Sequence, residues 1–419
     1  MGVIELLAGQ PRADKACTRG THRLCTPAQT LARVRPLMPQ LGITRLANIT
    51  GLADIRVPVV AAIRPNGAAS TTALGKGLDL DAARVSALME ALETWHAENV
   101  DLPLRLRSHA QLREAEACVD PGLLPRSGPA PDEHAAQLWI RGEDLLAEQP
   151  TWVPWPAVSL MPGLRRGRGG LVQDTNGLAS GNHLLEAICH GLCEVIERDC
   201  LVLWRGRRGL HHAPDARRVD LDSVDDPACR QVLAAMADAG LAVGVWDLQT
   251  ELGVPAYACL ALEPPDRGRL RVMTADMGSG AHLSPRIALL RALTEAVQAR
   301  VTFVAGARDN LTREHYARSR NPKLHAATWE ALRDGRALRR FDAADERASG
   351  CFEADLHALL DALRGADLRQ AVVVDLSKAE LGVPVVKVIV PGLESMHATP
   401  GPRARSFWAA QTQGAGGDA

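Results

Sequence analysis

The placement of the glutamates on two helix-period stretches is what most narrows the folds open to this chain. Over 80–98, an advance of about 100° per residue puts Ser86 at about 0°, Glu90 at about 40° and Glu93 at about 340°, across from Leu88 and Leu92 at about 200° and 240°. Over 184–200, with Glu186 at about 0°, His190 falls at about 40°, Glu194 at about 80° and Glu197 at about 20°. Leu185, Ile188, Leu192, Val195 and Ile196 take the other side, so each helix is amphipathic with an acidic stripe. A solvated stripe usually interleaves Lys or Arg at i+4, for a few tenths of a kcal/mol per pair. Here no basic residue lies between Ser86 and Glu93, and only Arg198 follows the second set. Glu90, Glu93, Glu186, Glu194 and Glu197, if they face one another, must repel, take up protons or surround a hard cation. Mg²⁺ takes oxygen ligands and lets substrate phosphates complete its shell. The run NGLASGN (176–182) enters the second helix through a Gly-rich turn whose backbone N–H groups suit an anion. The residues therefore point to a Mg²⁺–nucleotide site.

Other chemistries lack their residues. HExxH, GxxxxGK[ST] and a GxGxxG after a strand are absent, which excludes the zincin, P-loop and Rossmann readings. A di-iron bundle wants Glu-x-x-His pairs, and here the spacing is Glu194-x-x-Glu197. Nine cysteines without a CxxC argue against zinc ribbons and thioredoxin-type redox chemistry. Cys189, Cys193 and Cys200 fall along one helix stripe and read as core packing. His190 and the pair His211–His212 read as packed or surface histidines, and no Cys/His or Ser/His pair has the context of an acyl-enzyme. A net charge of −1 over 419 residues argues against a nucleic-acid or membrane coat built on excess Lys and Arg. No apolar run approaches the roughly 20 residues of a membrane span, and the start lacks a basic n-region. The expectation is a soluble, cytoplasmic protein.

The 46% hydrophobic content supports a sizeable core. Helix periodicity marks 80–98, 184–200 and 285–305, and apolar, β-branched runs mark strands at 57–63, 241–246, 256–262, 370–375 and 384–390. The segments 119–134, 161–175 and the tail from Thr399 are rich in Gly, Pro or Arg and read as loops. WDLQTELGVPAYACLAL (246–262) echoes VDLSKAELGVPVVKVIV (374–390), each copy reading strand, turn, Gly-Val-Pro, strand. The mixture predicts an α+β protein containing an internal duplication. Its expected organisation is an N-terminal extension (1–55), a catalytic domain (56–398) and a flexible tail (399–419).

At these residues the sequence resembles the YcaO family. GKGLDLDAARVSALMEALE (75–93), NGLASGNHLLEAICHGLCEVIERD (176–199) and RALTEAVQAR (291–300) resemble its three ATP-site motifs, and PVVKVIVPGLE (384–394) its late strand and turn. The resemblance implies a fold of similar α/β units around a buried ATP site, with ATP and Mg²⁺ as cofactors. Carried over residue by residue, Ser86, Glu90 and Glu93 would line that site from one helix. Asn182, Glu186, Glu194, Glu197 and Arg198 would do so from the second, and Gln298 and Arg300 from the third. The five glutamates would be the metal ligands, and Arg300 would brace phosphates as the catalytic residue. The helical wheel does not place Arg300 with them, since it lies about 140° from Glu295.

In this family ATP activates a backbone amide of a ribosomally made peptide. A nucleophile adds to the carbonyl, the oxyanion takes the γ-phosphate, and phosphate leaves. A neighbouring Cys or Ser gives an azoline, sulfide a thioamide, and an amine an amidine. GITRLANITGLADIRVPVVAAIRPNG (42–67) and EALETWHAE (90–98) resemble the branch that works beside a TfuA-like, sulfide-delivering partner. The ending TPGPRARSFWAAQTQGAGGDA lacks the Pro-x-Pro-x-Pro tail of azoline-forming members. The resemblance thus implies thioamidation of a precursor peptide or protein, by a homodimer, with a separate leader-recognition protein. Cyclodehydration and amidine formation are the alternatives.

Overall fold

A computed structural model describes residues 13–129, 131–161, 170–205, 217–265, 276–306, 308, 311–341, 345–396 and 398–414. The chain order is α1 (Pro27–Val34), β1 (Arg45–Asn48), β2 (Val59–Ile63), β3 (Thr72–Lys76), α2 (Leu80–Glu98), β4 (Leu104–Ser108) and α3 (His109–Arg113). Next come β5 (Ala136–Asp144), β6 (Gln149–Pro154), β7 (Leu178–Ser180), α4 (Leu184–Arg205), β8 (Val219–Asp220), α5 (Pro227–Asp238), β9 (Ala242–Asp247) and β10 (Ala256–Leu262). The remainder is β11 (Asp276–Ala281), α6 (Pro285–Ala305), α7 (Arg313–Ser319), α8 (Pro322–Asp334), β12 (Arg339–Arg340), α9 (Phe352–Gly365), β13 (Val372–Asp375), β14 (Val385–Ile389) and α10 (Pro402–Gly414). This is an α+β fold, as expected.

Three antiparallel sheets carry it among the described residues: β1-β2-β3, β11-β10-β9, and β4-β5-β13-β14-β7 with β6 added on β5. The repeated sequence proves to be a repeated hairpin. In β9–β10 Asp247 pairs with Tyr257, and in β13–β14 Asp375 pairs with Val386. Each turn uses the glycine of its ELGVP copy in the left-handed region, Gly253 at φ +67° and Gly382 at φ +61°, where a side chain is strained.

The three long helices fall where the periodicity puts them, and each is buried in a core cluster of its own. In α4, Ile188, Leu192 and Ile196 are fully buried, worth roughly 1.5–3 kcal/mol each. Asp79 caps α2 by accepting from Ala82 N at 2.8 Å, and Pro285 stands at the first turn of α6. A short strand precedes each helix, giving the units β3–α2, β7–α4 and β11–α6. The helices lie hard on their strands. A Cβ on Gly75 would come within 2.1 Å of Ala87 N, and one on Gly278 within 2.3 Å of Ala292 O and Ala296 N.

Two expectations need correction. The tail from Thr399 begins with a helix: α10 docks on α4, with Arg403 on Asp199 at 3.0 Å, Trp408 Nε1 donating to Leu203 O at 3.0 Å, and Glu394 accepting from Gly401 N and Ala404 N. Its burial of Ala404 and its polar anchors were not visible as periodicity. The strands β3, β7 and β11 were also missed, because TALGK, LAS and DMGSGA carry no β-branched alternation. Within the 161–175 segment, 162–169 lie outside the described residues, as do His211 and His212.

Candidate active site

The strand ends of the three units are where charge collects, and they interlock in a ring. Lys76, closing β3, pairs with Glu295 of α6 at 3.0 Å. Ser180, closing β7, gives Glu93 of α2 two hydrogen bonds, from its N at 2.8 Å and its Oγ at 2.6 Å. Ser279 of β11 donates to Glu197 of α4 at 2.7 Å, and Ala281 N adds a bond at 3.2 Å. Each strand thus holds a glutamate belonging to another unit's helix, so the three helices turn their polar faces to one space.

That space holds charges of both signs that are not paired off. Neither Glu194 nor Arg198 has an ion-pair partner within 4.0 Å among the described residues, although both are half-buried. Burial pushes the Glu194 carboxyl up to about 7, with Glu197 adding repulsion and Arg198 opposing it. Burial likewise pushes Glu93 up to about 8, with Glu194 and Glu90 close by, against the Ser180 hydrogen bonds. Glu90 touches solvent, yet enough protein surrounds it for desolvation to raise its pKa against the pull of Lys76. An acid that is both wet and surrounded sits in a cleft, not on a convex surface. Glu295 is the exception: burial works against its charge, but Lys76, Arg198 and Arg291 hold it below the usual carboxylate range. Lys387, buried on β14, donates to Asp174 O at 2.7 Å; burial lowers its pKa, with Asp174 and Glu194 opposing.

The expected site residues separate into two groups. Glu90, Glu93, Glu194, Glu197 and Arg198 come together, with Ser86 on the same face of α2 one turn from Glu90. Glu186 and Asn182 turn elsewhere. Glu186 accepts from Leu24 N at 2.8 Å, Arg23 Nη1 at 3.3 Å, and Asn182 N and Nδ2 at 3.2 Å each. The anion that the NGLASGN turn receives is therefore the protein's own Glu186. Arg300 is buried in ion pairs with Asp276, at 2.8 Å, and Glu263. The helix runs unbroken past it to Ala305, so Arg300 keeps the off-face angle of the wheel and braces carboxylates. Gln298 donates to Leu74 O at 2.7 Å, fastening α6 to β3. Of the five glutamates expected around the metal, Glu90, Glu93, Glu194 and Glu197 thus share the cleft, while Glu186 is held by Leu24 N, Arg23 and Asn182.

Residues that the sequence reading left unassigned complete the cleft. Arg291 bonds Glu197 at 3.4 Å and His190 Nδ1 at 3.3 Å. The signal for it existed, because Arg291, Glu295 and Gln298 fall at i, i+4, i+7 on one helix face. Lys76 and Ser279 had no such pattern to mark them.

The donor set fits a magnesium–nucleotide. Mg²⁺ keeps few protein ligands, usually one or two carboxylates, and takes the rest from phosphates and water. Glu194, raised by burial, Glu90, raised by desolvation within the cleft, and Glu93, raised despite its bonds to Ser180, would ionise fully against such a cation. Arg198, and Lys76 beside Glu295, are the cations that could meet phosphate charge there. The cation's contribution when bound is to neutralise charge on transferring phosphate oxygens. An enzyme class follows: a nucleotide-dependent one whose site is assembled from three strand–helix units.

Comparison with known proteins agrees. The family model described as YcaO cyclodehydratase, ATP- and Mg²⁺-binding, matches residues 74–394. The chain belongs to the YcaO family and is an ATP- and Mg²⁺-binding enzyme. It is 36% identical over 403 residues to an uncharacterized protein in the tfuA 3′ region of Rhizobium leguminosarum bv. trifolii, covering 93% of both chains. An uncharacterized protein of Methanothermobacter thermautotrophicus is 36% identical over 382 residues, covering 89% of this chain and 95% of that one. Among solved structures, YcaO from Methanopyrus kandleri bound with AMPPCP and Mg²⁺ superposes with a TM-score of 0.72 at 24% identity, over 91% of this chain and 94% of that one. A heterocyclase in complex with substrate and cofactor superposes with a TM-score of 0.74 at 24% identity, over 92% of this chain. The chain spans about half of that heterocyclase, 54% of its length. No helix among the described residues is long and apolar enough to cross a membrane.

Proposed function

We propose that this enzyme installs a thioamide in a ribosomally made peptide or protein, using ATP, Mg²⁺ and sulfide from a TfuA-like partner. The observation that carries the choice of nucleophile is the relative from the tfuA 3′ region, which matches this chain over 93% of both lengths. In this reading hydrosulfide adds to a backbone amide carbon. The former carbonyl oxygen takes the γ-phosphate of ATP and leaves as phosphate, so that amide, hydrosulfide and ATP become thioamide, ADP and phosphate. Glu90, Glu93, Glu194 and Glu197 are the carboxylates that face the metal–nucleotide, and Lys76, Arg198 and Arg291 balance phosphate charge. Glu186, Asn182 and Arg300 hold the framework around them. The reaction belongs in the cytoplasm, on a domain spanning 56–398.

The peptides and proteins of the source cell, compared by mass spectrometry with those of a strain carrying Glu194→Gln, test this. The expected result is a peptide in which sulfur replaces one oxygen in the wild type alone. A wild-type product that has instead lost water would refute thioamidation in favour of azoline formation.

A further inference from the structure

The polar face of α4 runs on past the carboxylate cleft. With Glu194 at about 0° on the helical wheel, Arg198 lies at about 40° and Arg205, which ends the helix, at about 20°. Arg205 therefore stands on the face of the cleft, about 10 Å beyond Arg198 along the axis. Among the described residues it has no ion-pair partner, and its side-chain hydrogen bonds go to sulfur. Nη2 donates to Met277 Sδ at 3.1 Å and Nη1 to Met396 Sδ at 3.6 Å. A thioether is a weak acceptor, whereas a guanidinium carries five N–H donors in a rigid fork. Burial and the nearby Arg198 both work against the charge of Arg205. A cation held in this way costs stability until an anion reaches it.

The two sulfurs come from different parts of the fold. Met277 lies on β11 two residues before Ser279, on the strand face that clasps Glu197. Met396 follows Ser395, whose Oγ donates to Asp174 Oδ2 at 2.8 Å. Arg205, Met277 and Met396 are each half-buried, and both methionines pack against the core around α4. The guanidinium is thus fixed between two soft walls while one side stays within reach of solvent.

We propose that Arg205, between Met277 and Met396, receives a carboxylate of the peptide substrate and so selects which peptides are presented to the cleft. That the anion belongs to a peptide rests on the proposed function; the guanidinium without a carboxylate rests on the fold alone. Arg198 lies nearer the cleft carboxylates and meets the nucleotide, which leaves Arg205 for a second anion. Its planar fork matches a carboxylate with two parallel hydrogen bonds. The apolar thioether walls disfavour a strongly hydrated dianion such as phosphate. Being unbranched and flexible, they adapt to whatever side chains flank the acid.

The test titrates acetyl-Gly-Asp-Gly-amide, acetyl-Gly-Asn-Gly-amide and acetyl-Gly-Gly-Gly with a free carboxyl end into the full-length protein with Mg²⁺ and AMPPCP. Methyl-labelled methionine reports binding by NMR. Wild type is expected to show saturable shifts of the Met277 and Met396 methyls. The Asp peptide or the free-carboxyl peptide should bind at least about tenfold more tightly than the Asn peptide, the order of one charge-assisted hydrogen bond. Which of the two binds tells a side-chain acid from a chain end. Arg205→Met should remove the preference, and Arg205→Lys, which keeps the charge without the fork, should retain only part of it. The proposal is overturned if neither carboxylate peptide shifts these methyls to saturation, if Arg205→Met keeps the preference, or if sodium phosphate saturates the same signals as readily. It is also overturned if Arg205→Met weakens AMPPCP as much as the peptide, which would make Arg205 a phosphate contact. Carboxylate binding at Arg205 without any thioamide in the source cell would overturn the proposed function and leave the subsite standing.

Discussion

Glu194→Gln converts one member of the carboxylate cleft into a permanently neutral side chain of nearly the same shape. In the wild type, burial and the nearby Glu197 raise this carboxyl from 4.5 to about 7. A folded-state pKa above the unfolded one stabilises the protein fully below about pH 4.5, and that contribution is lost as pH rises to about 7. Above that range the wild type carries the cost of a crowded charge that the variant lacks. The ceiling is roughly 3 kcal/mol, and partial solvent access reduces it to about 1–2 kcal/mol. Urea denaturation of the nucleotide-free protein, run from pH 4.5 to pH 8.5, should therefore show the variant matching wild type at the acid end. It should exceed wild type by about 1–2 kcal/mol at the alkaline end. Calorimetric titration with ATP and Mg²⁺ should show the reverse order, with binding lost in the more stable variant. A variant less stable than wild type at pH 8, or one that binds Mg²⁺–ATP normally, would refute the reasoning.

Mg²⁺–ATP binding should release protons at pH 7, because Glu93 at about 8 and Glu194 at about 7 must ionise to meet the cation. Affinity should accordingly rise with pH over that range, and binding enthalpy should vary with the ionisation enthalpy of the buffer. Arg300→Met should cost about 3–5 kcal/mol of stability by leaving Glu263 and Asp276 buried without their cation. Residual folded protein measured by calorimetry should still bind nucleotide, which separates a bracing role from a phosphate contact. Gly278→Ala should lower the apparent melting temperature by several degrees, since its Cβ would lie 2.3 Å from the α6 backbone. Circular dichroism on heating reads this directly.

The long helices, the apolar strands and the duplicated hairpin were legible because each imposes a period or a repeat on the sequence. Glu90, Glu93, Glu194 and Glu197 were legible for the same reason, as polar residues recurring at helical spacing on one face. Glu186 has that spacing too, but its partners Arg23 and Leu24 come from about 160 residues earlier, and no local pattern foretells them. Arg300 was carried over from family resemblance against its own helical angle, and the unbroken α6 keeps it at that angle, paired with Glu263 and Asp276. The strands β3, β7 and β11 hid because close packing under a helix selects small residues, which erases the β-branched signature.

The interlocked ring also has a consequence for synthesis. Ser180 can clasp Glu93 only once β7 is in place, and β7 joins its sheet through β14, about two hundred residues later. Lys76 likewise waits for Glu295. Nearly the whole chain must leave the ribosome before any complete set of carboxylates exists. A nascent chain would thus be blind to ATP until its last strand docks, and pairings of such sequence separation make for slow folding. Nucleotide would then act on the newborn protein late and all at once, sealing three distant segments in a single step.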